Sequence, residues 1–301
     1  MIRKICDVLA EKRPTYSFEL FPPKNEKGMS RLFNTVEKLA VLEPDYISVT
    51  YGAGGSTSKS TLDIIEKIQE DFELTCMHHF TLVNQTVESL SDSVKAMRDA
   101  GVKNVLALRG DPPPEMGDKF RKIDGGLEFC YELMDLVREI YGNYDLSLGV
   151  AGFPEVHIDC PSAELDSKYL KIKLDHGADF VVTQLFFENE SFSKYIKRNL
   201  AAGADAPLIP GVLPIVDYKR LLSFCDTCGA YICEEVHKVF GPIADDPAKT
   251  VETGTKYAID QSTDLLARGA AGIHFYCLNK VNPTRAIWRA VKEAYPPQRR
   301  A

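Results

Sequence analysis

The sequence predicts an α/β fold, a single (β/α)8 TIM barrel over residues 1–301, and three observations predict it. Short β-rich runs alternate with longer amphipathic ones, which is the pattern of parallel strands joined by helical crossovers. Eight such runs occur, and 301 residues suit one barrel, which typically needs about 250. A small turn element also recurs ahead of several runs, as expected of a chain of equivalent units.

In order, the β-rich runs are 16–21, 46–51, 76–82, 104–108, 146–151, 180–186, 208–213 and 272–278. Between them lie helical candidates, among them 29–42, 60–72, 86–100, 162–176 and 248–268, most with apolar residues at helical spacing. Ala100-Gly101-Val102, His176-Gly177-Ala178 and Arg268-Gly269-Ala270 each place a glycine where a helix C-cap belongs. No Gly/Ser-rich or Pro-rich linker interrupts the series, and Pro112-Pro113-Pro114 reads as a rigid loop. The alternative topology is a doubly wound open sheet.

Composition narrows the function. Hydrophobic residues at 45% and charged residues at 26% are the balance of a soluble globular enzyme with material for a sizeable core. A formal net charge of -7 with no cation cluster argues against nucleic-acid binding. No run reaches membrane-spanning length, and the N-terminus alternates apolar and charged residues unlike a signal peptide. The eight scattered cysteines read as reduced thiols, so a cytoplasmic location is expected.

Parallel strands of a barrel gather their C-terminal ends on one rim, where active sites sit. The polar residues at those ends are Glu19, Thr50, Tyr51, His79, Arg109, Asp111, His157, Gln184, Asn279 and Lys280. Glu19 lies in Ser17-Phe18-Glu19-Leu20-Phe21, apolar on both sides, where an unpaired carboxylate is costly and its pKa tends upward. That makes it a candidate general acid. The competing readings are a structural ion pair for Glu19, a satisfied core histidine for His79 and a simple Arg–Asp pair within Arg109-Gly110-Asp111. Polar groups at the same end of most units favour function, because packing alone does not require them there.

Two further signals are weaker. Gly52-Ala53-Gly54-Gly55-Ser56-Thr57 precedes a helix and could face an anion with its backbone N–H groups, but it matches neither the dinucleotide fingerprint nor the P-loop. Cys225, Cys228, Cys233 and His237 have zinc-like spacings, yet Phe224-Cys225 continues an amphipathic helix with Leu221 and Leu222, so buried packing is the favoured reading and no metal is expected.

Several segments together resemble methylenetetrahydrofolate reductases. They are Ser17-Phe18-Glu19-Leu20-Phe21-Pro22-Pro23, Ser48-Val49-Thr50-Tyr51-Gly52-Ala53, Ala107-Leu108-Arg109-Gly110-Asp111 and Pro154-Glu155-Val156-His157, followed by Thr183-Gln184-Leu185-Phe186-Phe187, Ile209-Pro210-Gly211 and His274-Phe275-Tyr276. The resemblance spans nearly the whole chain, and the combination is highly specific. It implies a (β/α)8 barrel with FAD at the strand C-terminal ends, reducing 5,10-methylenetetrahydrofolate to 5-methyltetrahydrofolate with NADH or NADPH.

By that resemblance Thr50, Tyr51, Ala53, His79, Arg109, Gly110, Asp111, His157, Asp166 and Lys173 hold or tune FAD. Glu19 is the proton donor, Asp111 also approaches the pterin, Gln184 contacts folate and nicotinamide, and Phe224 is the aromatic on which they stack. Phe153 and Tyr169 join the cofactor set as departures: Phe153 replaces a frequent Tyr and loses its hydroxyl, and Tyr169 replaces a smaller polar residue. Lys280 stands where Arg is common, trading a bidentate grip for a point charge, and Arg220 offers a compensating cation for substrate. Residues 112–126 depart most from the family pattern. A homo-oligomer is common in the family, and without a following regulatory domain no control by S-adenosylmethionine is expected. No separate ribose-binding unit is legible, so both nicotinamides stay open. The second reading is a non-catalytic barrel subunit that binds flavin or metal; the presence of Glu19 favours the enzyme.

Overall fold

The computed structural model describes residues 2–23, 25–50, 58–112, 120–142 and 145–300. The first half of the chain runs α1 (Ile5–Glu11), β1 (Lys12–Arg13), β2 (Thr15–Leu20), α2 (Glu26–Ala40), β3 (Tyr46–Val49), α3 (Ser58–Phe72), β4 (Cys76–Thr81), α4 (Val87–Asp99), β5 (Asn104–Leu108), α5 (Cys130–Tyr141) and β6 (Ser147–Gly152). The second half runs α6 (Ala163–Asp175), β7 (Phe180–Thr183), α7 (Asn189–Ala201), β8 (Leu208–Ile209), β9 (Gly211–Val212), α8 (Tyr218–Cys228), α9 (Glu234–Phe240), α10 (Pro247–Ala267), β10 (Gly272–Phe275), α11 (Thr284–Ala294) and β11 (Gln298–Arg299). The chain divides into two compact units interleaved in sequence. The first comprises Met1–Val8, Ser17–Ala151 and Ile172–Phe180, the second Leu9–Tyr16, Gly152–Lys171 and Val181–Ala301.

In the first unit β2 to β6 pair in succession, each parallel to the next. Glu19 lies opposite Ser48, Ser48 opposite Met77, and His79 opposite Leu106. Phe18, Val49, Phe80 and Val105 are fully buried, as strands covered on both faces require. The first N–H groups of α1 have no partner within the helix, and strand-borne side chains supply one: Ile5 N–H donates to Asn104 Oδ1 at 2.7 Å and Cys6 N–H to Ser147 Oγ at 3.2 Å.

In the second unit β7 pairs with β8, and β9 with β10, again parallel. The predicted strand 208–213 is therefore two short pieces interrupted at Pro210, which has no N–H to give a ladder; its carbonyl accepts from His274 N–H at 3.0 Å. β1 and β11 form a separate antiparallel ribbon. Leu185, Phe187, Leu213, Ile215, Leu221, Val236 and Phe240 build this unit's apolar cluster.

The other strands fall within a few residues of their predicted ends; the run 180–186 is strand only to Thr183 and the run 272–278 only to Phe275. Gly101, Gly177 and Gly269 follow α4, α6 and α10 with φ of 72°, 88° and 96°, the left-handed cap conformation that the repeated turn predicts. Strand followed by helix, with the registers between successive strands parallel, makes the fold class α/β of the (β/α)8 barrel kind. No described helix is long and apolar enough to cross a membrane.

Candidate active site

The first unit carries its chemistry on strand ends. Glu19 in β2 is 5% exposed although both strand neighbours, Phe18 and Leu20, are fully buried apolar residues. Its Oε2 lies 3.6 Å from Nε2 of His79 in β4, which is also buried. Successive strand side chains point to opposite faces, so the adjacent His78 is placed away from Glu19; it packs edge-on to Phe80, with centroids 6.0 Å apart. Complete burial holds the His78 imidazole neutral, lowering its pKa to about 4.

Thr50 follows β3, with its N–H donating to Leu20 O at 2.9 Å and its carbonyl accepting from Thr61 Oγ1 at 3.3 Å. Arg109 follows β5 with its guanidinium 5.0 Å from the centre of the Phe120 ring. Gly110 has φ of 87°, and a Cβ there would sit 2.6 Å from Val83 Cγ1, so the turn that brings in Asp111 excludes any side chain. Asp111 is exposed. Lys173 in α6 donates from Nζ to Ala151 O at 2.6 Å, which fixes a cation beside the end of β6. Tyr51 and Ala53, and the Gly-rich loop 52–57, lie outside the described residues.

The second unit holds its candidates on loops and helix faces. Phe153 and His157 follow β6 and meet edge to face at 4.6 Å. His157 Nδ1 accepts the Asp159 N–H at 3.0 Å, which puts the proton of a neutral ring on Nε2. Arg198 of α7 donates to Phe153 O at 2.6 Å and to Pro154 O at 2.9 Å, and it pairs with Asp166 Oδ2 at 3.2 Å. Asp166 thus has one carboxylate oxygen engaged in a buried pair that orders this loop. Tyr169 is exposed on α6. Gln184 follows β7; its Oε1 accepts from the Leu185 N–H at 2.9 Å, which leaves the side-chain NH2 as the group it offers a ligand. Arg220 and Phe224 are four apart on α8, both exposed, and share a helix face. Lys280 is exposed in the turn after β10.

Residues 4–292 match the family model of methylenetetrahydrofolate reductase. The chain belongs to the methylenetetrahydrofolate reductase family. It is 35% identical over 288 residues to methylenetetrahydrofolate reductase (NADH) 1 of Arabidopsis thaliana, covering 93% of this chain and 48% of the plant protein. The chain spans about half the length of such relatives. It is 32% identical over 271 residues to the 5,10-methylenetetrahydrofolate reductase of Escherichia coli, with 90% of this chain and 88% of the bacterial one covered. Among solved structures, a Clostridium thermocellum protein described as binding two copies of 5-methyl-5,6,7,8-tetrahydrofolic acid aligns over 96% of this chain and 98% of its own. Its TM-score is 0.63 at 16% identity, a likeness of fold.

Among the described residues Cys225, Cys228, Cys233 and His237 do not bring three ligand atoms close enough together to hold a metal ion. Cys225 and Cys233 are buried in the apolar cluster with Leu221, Val236 and Phe240, while His237 Nδ1 meets Tyr218 Oη at 2.6 Å. A side-chain hydrogen bond with the neighbouring Cys228, and then burial, push the Cys225 thiol far above its ordinary pKa. Arg198 carries no sequence signal of its own, since the carbonyls it holds lie 44 and 45 residues away. Glu155 stands in a recognised motif without an assigned task, and the structure gives it one: its Oε2 accepts the Tyr231 N–H at 2.9 Å.

Proposed function

We propose that this chain is a flavoprotein that reduces 5,10-methylenetetrahydrofolate to 5-methyltetrahydrofolate, with FAD as cofactor and NADH or NADPH as reductant. The observation that carries the reading is Glu19, a carboxyl held in a buried strand beside His79 in a member of this family. Such a group suits proton delivery, because a carboxyl at a strand end, with the His79 ring 3.6 Å away, is of the residue type and placement that a general acid requires.

The donor set fits a flavin dinucleotide. Arg109 and Lys173 supply cations for a diphosphate, Thr50 a hydroxyl, and His157 a ring N–H, with Phe153 and Tyr169 as aromatic surfaces; Tyr51, Ala53, His79, Gly110 and Asp166 complete the set by family resemblance. When bound, FAD supplies a carrier that accepts hydride from the nicotinamide and returns it to the folate. Glu19 protonates the folate ring nitrogen, which opens the five-membered ring to a 5-iminium cation ready for hydride. Asp111 faces the pterin and sets the charge near the reducible ring. Gln184 and Phe224 serve nicotinamide and folate in turn, and Arg220 and Lys280 attract the folate carboxylates. A single-domain, cytoplasmic homo-oligomer is part of the same proposal.

The test is a pair of half-reactions on purified protein. Anaerobic NADH or NADPH bleaches the flavin colour, and methylenetetrahydrofolate restores it with one 5-methyltetrahydrofolate formed per flavin. Comparison of the two nicotinamides ranks them, and parallel double-reciprocal lines are expected of ligands that alternate. Colourless protein that takes up no added FAD, or reduced flavin that methylenetetrahydrofolate leaves bleached, overturns the reading.

A further inference from the structure

The loop after β6 is held by two sets of contacts. Arg198 fixes the Phe153 and Pro154 carbonyls, as described, and Glu155 bonds to the turn that follows α8. That turn begins at Gly229, the left-handed C-cap of α8 with φ of 72°. A Cβ on Gly229 would lie 2.9 Å from Ile158 Cδ1, so loop and turn approach closely at a second point, three residues beyond Glu155. The Glu155–Tyr231 hydrogen bond spans 76 residues of sequence. Glu155 Oε1 is shut away from solvent and has no hydrogen-bond partner among the described residues. Burial raises the Glu155 pKa, the Tyr231 N–H opposes that rise, and Glu188 adds repulsion. A carboxylate is thus kept at a cost where a surface loop would ordinarily leave it in water.

The segments so joined carry the proposed ligand contacts. Phe153 and His157 stand on the loop that carries Glu155, and Arg220 and Phe224 stand on the helix that leads into the turn it holds. We infer that Glu155 is a positioning residue, latching the end of α8 to the loop after β6 so that Phe224 and Arg220 keep a fixed spacing from Phe153 and His157. The inference rests on the reductase reading for what the spacing serves, and on the hydrogen bond for the latch itself. Ligands that stack on Phe224 then bind a surface already in place, without the cost of ordering it on each encounter.

Three variants of the flavin-loaded protein test it. Glu155→Ala removes the acceptor; Glu155→Gln keeps a carbonyl oxygen at the same reach; Glu155→Asp keeps the charge one methylene too short. Two quantities are read: amide hydrogen exchange in residues 229–233, and the KM and kcat for methylenetetrahydrofolate. Ala and Asp are expected to speed exchange at the Tyr231 amide and to raise KM about tenfold with kcat within about twofold, while Gln restores both. Unchanged Tyr231 exchange in Ala and Asp overturns the latch. Faster exchange with wild-type KM overturns the positioning role. If Ala does not fold, Asp decides alone. If the unmodified protein shows no methylenetetrahydrofolate turnover, the reductase reading fails, and the exchange comparison still decides whether the latch exists.

Discussion

In the first unit, Glu19 and His79 sit on strands whose backbone ladders fix them; in the second, Phe153, His157 and Phe224 sit on a loop and a helix that distant side chains hold. A strand position is set by register over several hydrogen bonds, so Glu19 and His79 meet without dedicated support. A loop position depends on a few individual contacts, here those of Arg198 and Glu155. The difference predicts how each region fails. Losing a group from the strands should remove chemistry and leave binding, whereas losing a pin from the loop should weaken binding and stability together.

The largest effect is expected at Glu19. Glu19→Gln preserves shape and removes the proton. In the proposed reaction, reduction of the flavin by nicotinamide transfers hydride without that proton, so bleaching should stay near the wild-type rate. Reoxidation by methylenetetrahydrofolate should fall by at least about 10²-fold, the loss typical of a missing general acid. Stopped-flow absorbance separates the two steps. Equal losses in both half-reactions with flavin retained would break the comparison at its first term, and normal reoxidation would take the acid role away from Glu19.

A smaller and broader effect is expected at Arg198. Its pair with Asp166 is mostly buried, with side chains 19% and 9% exposed, and the same guanidinium serves two loop carbonyls. Arg198→Ala strands the Asp166 carboxylate and should cost about 2 kcal/mol of stability by chemical denaturation, discounted for residual exposure. Flavin should also be retained less well through dialysis, because the segment carrying Phe153 and His157 loses its anchor. An Arg198→Ala protein with wild-type stability and flavin content would show that the loop holds itself.

The same contrast explains what could be read in the sequence. Strand-end positions are legible because alternation and burial fix them locally: the sequence places Glu19 and His79 at strand ends on one rim, and the structure brings them within 3.6 Å of each other. The pins were not legible, since Arg198 and Tyr231 lie 44 and 76 residues from their partners and look like ordinary surface residues. The run 208–213 was read as one strand because its apolar pattern is continuous, and Pro210 divides it for want of an N–H. The helix periodicity that places Cys225 four residues after Leu221 agrees with its burial on α8.

The smallest effect concerns His78, and it asks whether strand burial carries a pH signature. In the folded protein His78 is held neutral, with a pKa of about 4 against 6.5 when exposed. The folded value is depressed, so the unfolded chain binds a proton first as pH falls, and stability present above pH 6.5 is lost on the way down toward pH 4. Between pH 7.5 and 5.5 this one group should account for about 1 kcal/mol of lost stability. His78→Gln removes the titration while keeping a polar side chain, so its stability should fall less steeply over that interval, even if it starts lower through imperfect packing. Urea denaturation at several pH values, compared by slope and not by absolute stability, measures it. Identical slopes for variant and wild type would mean that His78 is protonated alike in both states, and that burial on β4 holds this side chain less firmly than its register implies.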